Sequence, residues 1–136
     1  FAASGTWTTS TAGYKRDDAS AAGDGLSTAA WTFSRLTPGV YRVLMTWAGG
    51  QTPSPDLASN TPVLISTGDG SSTTSTIDQR TGPDGELISG VWWNQIIEFR
   101  VVADAAATTG TLMLTLGGIA DGRMIADGVR IERIGN

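Results

Sequence analysis

Two residue types are missing altogether, cysteine and histidine, and lysine occurs once, as Lys15. Without cysteine there is no disulfide framework, no thiolate nucleophile and no cysteine-bearing zinc or iron–sulfur site. Without histidine there is no Ser-His-Asp triad, no HExxH zinc helix and no imidazole base near neutral pH. Carboxylate pairs, Lys15 and hydroxyls without an evident base are what remain for chemistry. Long hydrophobic runs are missing too: they reach about six residues where a membrane helix needs about 20, so no membrane insertion is expected. Cations are few and scattered, nine Lys and Arg against thirteen Asp and Glu for a net charge of −4. Duplex binding needs clustered basic side chains to displace counterions, which excludes nucleic acid as a natural partner.

What is present favours strands. Serine and threonine number 31 and glycine 18, while Glu, Gln and Lys together number seven, so helix formers are depleted and β and turn residues enriched. In Val40-Tyr-Arg-Val-Leu-Met-Thr-Trp47, residues Tyr41, Val43, Met45 and Trp47 share one face, and the other face is half apolar, as in a central strand. Ile97, Phe99 and Val101 alternate with charged residues, and Leu112, Leu114 and Leu116 alternate with Thr111, Met113 and Thr115. Both patterns have one buried and one wet face, the mark of an antiparallel sandwich. Further strands are expected over residues 6–10, 29–34, 62–66 and 73–79, with a closing pair at 123–126 and 129–134 that reads as one strand bent by a bulge at Asp127-Gly128. Thr37-Pro-Gly39 has the composition of a type II turn. With no linker and no repeat of 20–50 residues, residues 1–136 form one domain: an all-β antiparallel sandwich, jelly-roll-like, of about eight or nine strands. Residues 13–27, 49–60 and 81–90 read as long loops, where binding would be sought.

Sugar recognition needs flat aromatic faces beside a few hydrogen-bonding groups. The candidates are Trp47, Trp92, Trp93 and Tyr14, with Asn94, Gln51 and Arg42 as polar neighbours. Trp92 and Trp93 are adjacent on extended chain, so one side chain can enter the core while the other faces out. Trp7, Trp31 and Trp47 also fit as core residues. Asp17, Asp18 and Asp24, with Asp69 in a Gly-Asp-Gly turn, form oxygen-rich loops of the kind that hold structural Ca²⁺, although their spacing matches no EF-hand and solvated turn aspartates compete as the explanation. Asp127 lies within an apolar run and must be hydrogen-bonded, by backbone N–H groups or by Arg123 or Arg130. The only glutamates are Glu86, Glu98 and Glu132. Glu98 near Arg100, and Glu132 between Arg130 and Arg133, read as surface ion pairs rather than a glycosidase acid pair. No catalytic residue is expected.

Several words of the chain occur in a fixed order: Gly5-Thr-Trp-Thr-Thr-Ser10, Ala30-Trp-Thr-Phe33, Leu36-Thr-Pro-Gly-Val-Tyr-Arg-Val43, Asn60-Thr-Pro-Val63, Trp92-Trp-Asn94 and Ile125-Ala-Asp-Gly-Val-Arg-Ile131. Together they resemble the golvesin / xanthan lyase carbohydrate-binding-like domain over nearly the whole length. The resemblance implies a galactose-binding-like jelly roll without catalytic activity, found in large secreted or cell-surface bacterial proteins, notably those of planctomycetes. Its partners would be polysaccharide or neighbouring surface domains. A second class of function is a structural or adhesive module, or a self-associating filament subunit in which residues 1–4 dock as a strand on a neighbour. The chain departs from the family where it reads Tyr14-Lys-Arg-Asp-Asp18 and Ser54-Pro-Asp-Leu-Ala58. It begins with Phe1, as a processed product or a piece of a longer chain does.

Overall fold

The computed structural model describes residues 1–10, 14 and 18–136. Twelve strand segments follow in order: β1 (Ala2–Ser4), β2 (Thr8–Thr9), β3 (Ala19–Ala21), β4 (Asp24–Leu36), β5 (Gly39–Thr46), β6 (Thr61–Thr67), β7 (Ser72–Ile77), β8 (Glu86–Ile88), β9 (Val91–Val101), β10 (Gly110–Ile119), β11 (Met124–Ala126) and β12 (Gly128–Gly135). They form a five-stranded sheet in the order β1-β4-β10-β6-β7, a four-stranded sheet β12-β5-β9-β8 and a small sheet β11-β3-β2. Every pairing between these strands is antiparallel.

Alternation builds the core. Leu112, Leu114 and Leu116 of β10 and Val63 and Ile65 of β6 are fully buried from one sheet, and they pack in one cluster with Tyr41, Val43, Met45 and Trp47 from the other. Fully burying a side chain of this size stabilises the fold by about 1.5–3 kcal/mol, which makes the period-2 pattern strongly selective for this register. The β5–β9 ladder slips between Val43↔Ile97 and Leu44↔Gln95, so Ile96 is an extra residue. Through this bulge both Ile96 and Ile97 pack against the core, which simple alternation does not allow.

The count exceeds the expected eight or nine strands because three segments of three residues, β1, β3 and β8, are too short to show a period, whereas β2 and β11 lie within expected strands. Two of them, β3 and β8, fall inside stretches expected to be loops. The closing pair is not one bent strand. β11 pairs with β3 and β12 with β5, so the chain changes sheets at Asp127. The expected type II turn is also absent as such: Gly39 has φ 156°, far from the +80° that the turn requires, and Arg35 takes the left-handed conformation at φ 57°. Within residues 1–4, which the alternative reading docks on a neighbour, residues 2–4 pair with Thr28, Ala29 and Ala30 of their own chain.

Candidate functional site

The groove sits where loops from β5 and before β8 meet at the start of β9. Ser89 and Gly90, both at positive φ (50° and 82°), join β8 to β9 in a two-residue hairpin of the type I′ kind, whose twist matches that of the flanking strands. Its register sets Leu87 opposite Trp92 and Glu86 opposite Trp93. Strand alternation then sends the two tryptophans to opposite faces. Trp92 is 48% exposed, and its cross-strand neighbour Leu87 is 55% exposed, so an open apolar shelf stands at this edge.

Trp93 is only 4% exposed yet lies outside the central cluster. Its cross-strand partner Glu86 pairs with Arg42, which puts Trp93 on the outer face of the four-stranded sheet, where the Tyr14 ring covers it edge-on at 5.5 Å and 65°. Gly128 makes room for this stack: a Cβ there would sit 3.0 Å from Thr46, 3.1 Å from Tyr14 and 3.3 Å from Trp93. Asp127 holds Tyr14 in place, its Oδ2 accepting the Tyr14 backbone N–H at 2.7 Å. A backbone N–H is thus among the partners of Asp127, as expected, while Arg130 pairs with Glu132 and Arg123 with Asp56.

Trp47 and Asn94, two of the residues expected to touch ligand, shape the loop of residues 81–85. Trp47 is buried, and its indole N–H donates to Thr81 O at 2.8 Å. Asn94 Oδ1 accepts from the backbone N–H groups of Asp84 (3.0 Å) and Gly85 (2.8 Å). Together they pin residues 81–85 from below. Gly82 N–H donates to Gly50 O at 2.8 Å, and a Cβ on Gly49 would lie 2.8 Å from Gly82 N, so two bare glycines let the loops touch. The outcome is a cavity of about 340 Å³ lined by Gly49, Gly50, Gln51, Gly82, Pro83, Asp84 and Trp92. A second, of about 250 Å³, adjoins it across Trp92 and includes Tyr14, Trp47 and Val91. Pro83, Asp84 and Leu87 were not singled out in the sequence, although the Ser89-Gly90 dipeptide is a hairpin signal that could have placed them.

The remaining candidates lie elsewhere. Arg42 is on the outer sheet face, bonded to Glu86 (2.7 and 3.1 Å) and to Glu132 (2.6 Å), with Arg130 on the far side of Glu132. The Arg42 hydrogen bonds hold the Glu86 carboxyl below the ordinary glutamate range, and those from Arg130 and then Arg42 do the same for Glu132. A carboxyl whose folded pKa is depressed contributes stability above its unfolded pKa and loses it as pH falls through the folded one. The thermal midpoint of the parent chain should therefore drop more steeply than that of Arg42→Met between about pH 5 and about pH 2. Parallel midpoint-against-pH curves for the two proteins would refute this.

Two of the three acids expected to hold Ca²⁺ are described. Asp24 Oδ1 accepts the Leu26 N–H (3.0 Å) at the start of β4, Asp18 is buried before β3, and Asp17 lies outside the described residues. Asp69 is occupied in its turn by Thr67 and Ser71. Among the described residues no group of three His, Cys, Asp or Glu side chains could hold a metal ion.

A jelly-roll-like sandwich carrying an open aromatic edge over a loop-built groove has the form of a carbohydrate-binding-like module. More narrowly, the family model of the golvesin C-terminal domain matches residues 1–133, and the chain belongs to that family. No curated protein matches the chain. Among solved structures, it is similar to a CBM35 from Cellvibrio japonicus (16% identity, TM-score 0.50, 99% of this chain and 89% of that one). It is also similar to an exo-beta-1,3-galactanase from Phanerochaete chrysosporium solved with beta-1,3-galactotriose (13% identity, TM-score 0.56, 96% of this chain). The chain spans only 27% of the galactanase chain, and at these identities the likeness speaks to the fold.

Proposed function

We propose that this domain is a non-catalytic module that binds neutral polysaccharide at the Trp92 groove and tethers a larger extracellular or surface protein to it. The observation that carries this reading is a half-exposed tryptophan on a rigid hairpin, flanked by Gln51, Asp84 and bare glycine backbone. An indole face takes the C–H side of a pyranose, while the amide, carboxylate and backbone groups take hydroxyls. The fold shared with a CBM35 supports the binding role. The absence of catalysis is supported by two of the three glutamates, Glu86 and Glu132, being tied up by Arg42 on a sheet face rather than facing one another across a cleft.

Selectivity for uncharged sugars follows from the lining. Among the described residues Asp84 is its one charged side chain and no cation lines the larger cavity, so a uronate would meet repulsion without compensation. Affinity electrophoresis in gels containing galactan or β-glucan should retard the protein, and gels containing alginate or xanthan should not. Retardation by none of these polymers, or by the acidic ones preferentially, would overturn the reading.

A further inference from the structure

The two outer faces of the sandwich differ in charge. On the four-stranded sheet the outward positions include Arg42, Glu86, Glu98, Arg130 and Glu132. Across the middle of the five-stranded sheet the outward positions, read from the register, are filled by threonine, serine, alanine and other uncharged residues from β1 to β7, while the exposed Asp24 and Arg35 stand at the two ends of β4. Near the middle of that face stand Met113 of β10 and Leu64 of β6, each 39% exposed, as diagonal neighbours through the pairs Met113↔Ser66 and Thr115↔Leu64.

We propose that this uncharged face packs against the same face of a second copy of the chain, about a twofold axis near Met113 and Leu64. Charge selects the occupant. With Asp24 and Arg35 at the ends of β4, the middle of this face is where two copies can come together without desolvating an ion or opposing like charges. Shape agrees, because two identical twisted sheets pack face to face at about 10 Å with their strands some 30° apart. Four strands about six residues long and the three-residue β1, about 4.8 Å apart at about 3.4 Å per residue, give roughly 450 Å² per copy. The pair would bury roughly 900 Å², below the standard size of specific interfaces, so the dimer is weak and concentration-driven. Apolar contact comes from the two Met113–Leu64 pairs, and the surrounding hydroxyls can bond to one another or through water.

Sedimentation equilibrium from about 10 µM to about 1 mM should show the weight-average mass rising from one chain toward about twofold. Met113→Lys should keep the thermal midpoint and hold the mass at one chain throughout. Thr74→Glu, on exposed edge strand β7, should do the same without touching the packed centre. Glu98→Lys, on the opposite sheet, should leave association as in the parent. A parent chain that remains monomeric at about 1 mM overturns the proposal, as do Met113 and Thr74 variants that pair as the parent does. If the parent stays monomeric while both variants lose retention on an insoluble neutral polysaccharide, the face belongs to a polymer surface and the dimer is refuted.

Discussion

Replacing Trp92 by alanine should weaken binding to neutral polysaccharide by about thirtyfold, about 2 kcal/mol, and should leave the thermal midpoint within about 2 °C of the parent. The two halves of this expectation have different causes. Trp92 is the large aromatic bordering both cavities with its face open, so its removal takes away the apolar platform on which a sugar ring would lie. Nothing in the central cluster rests on it, so the sandwich stays intact. Trp92→Phe should keep most of the affinity, since a flat ring remains. The adjacent residue behaves in the opposite way. Trp93→Ala removes a buried indole from beneath Tyr14 and should cost about 3–5 kcal/mol of stability. Isothermal titration calorimetry alongside thermal melts separates the two effects, and a Trp92→Ala protein that binds as the parent does would remove the groove from consideration.

Gln79→Leu should lower the thermal midpoint by about 10–15 °C, the second large effect. Gln79 belongs to no strand and is completely buried. Its Oε1 accepts from Thr61 Oγ1 (2.9 Å) and from the Ile125 N–H (2.9 Å), and its Nε2 donates to Ile125 O (2.8 Å). One amide thus joins β6 of the five-stranded sheet to β11 of the small sheet. Leucine fills nearly the same volume but strands three buried polar groups at about 1–3 kcal/mol each, for a net cost of about 4 kcal/mol once relaxation is allowed. Against a total stability of about 5–15 kcal/mol that is a large share. A melt within about 2 °C of the parent would show that water replaces the amide and that the bridge is dispensable.

The Gln79 bridge also joins two separated words of the sequence. Asn60-Thr-Pro-Val63 and Ile125-Ala-Asp-Gly128 contribute Thr61 and Ile125, and the glutamine between them in sequence binds both. Asn60 adds a second link, its Oδ1 accepting from the Asp121 N–H at 2.8 Å. The expected strand over 73–79 ended on Gln79, where a single polar side chain reads as solvent-facing, whereas β7 ends at Ile77. Only the convergence of two sheets buries it.

Alternation in residues 40–47 and 112–116 determined the sandwich and its core face, because burying leucines and valines on one side of a pleated strand leaves a single register. Composition ruled out thiol and imidazole chemistry outright. Adjacency of Trp92 and Trp93 required that they part to opposite faces, but which one opened to solvent was decided by tertiary structure. Tyr14, held by Asp127 from 113 positions away, closes over Trp93, and the Ser89-Gly90 hairpin sets Trp92 at the rim. Likewise Trp47 and Asn94 carry the residue types of a sugar site, yet their hydrogen bonds are spent on the loop that bears Pro83 and Asp84. Local periodicity reports which side of a strand is dry. It carries no information about what a distant segment lays on top, and the choice of binding residues depends on that covering.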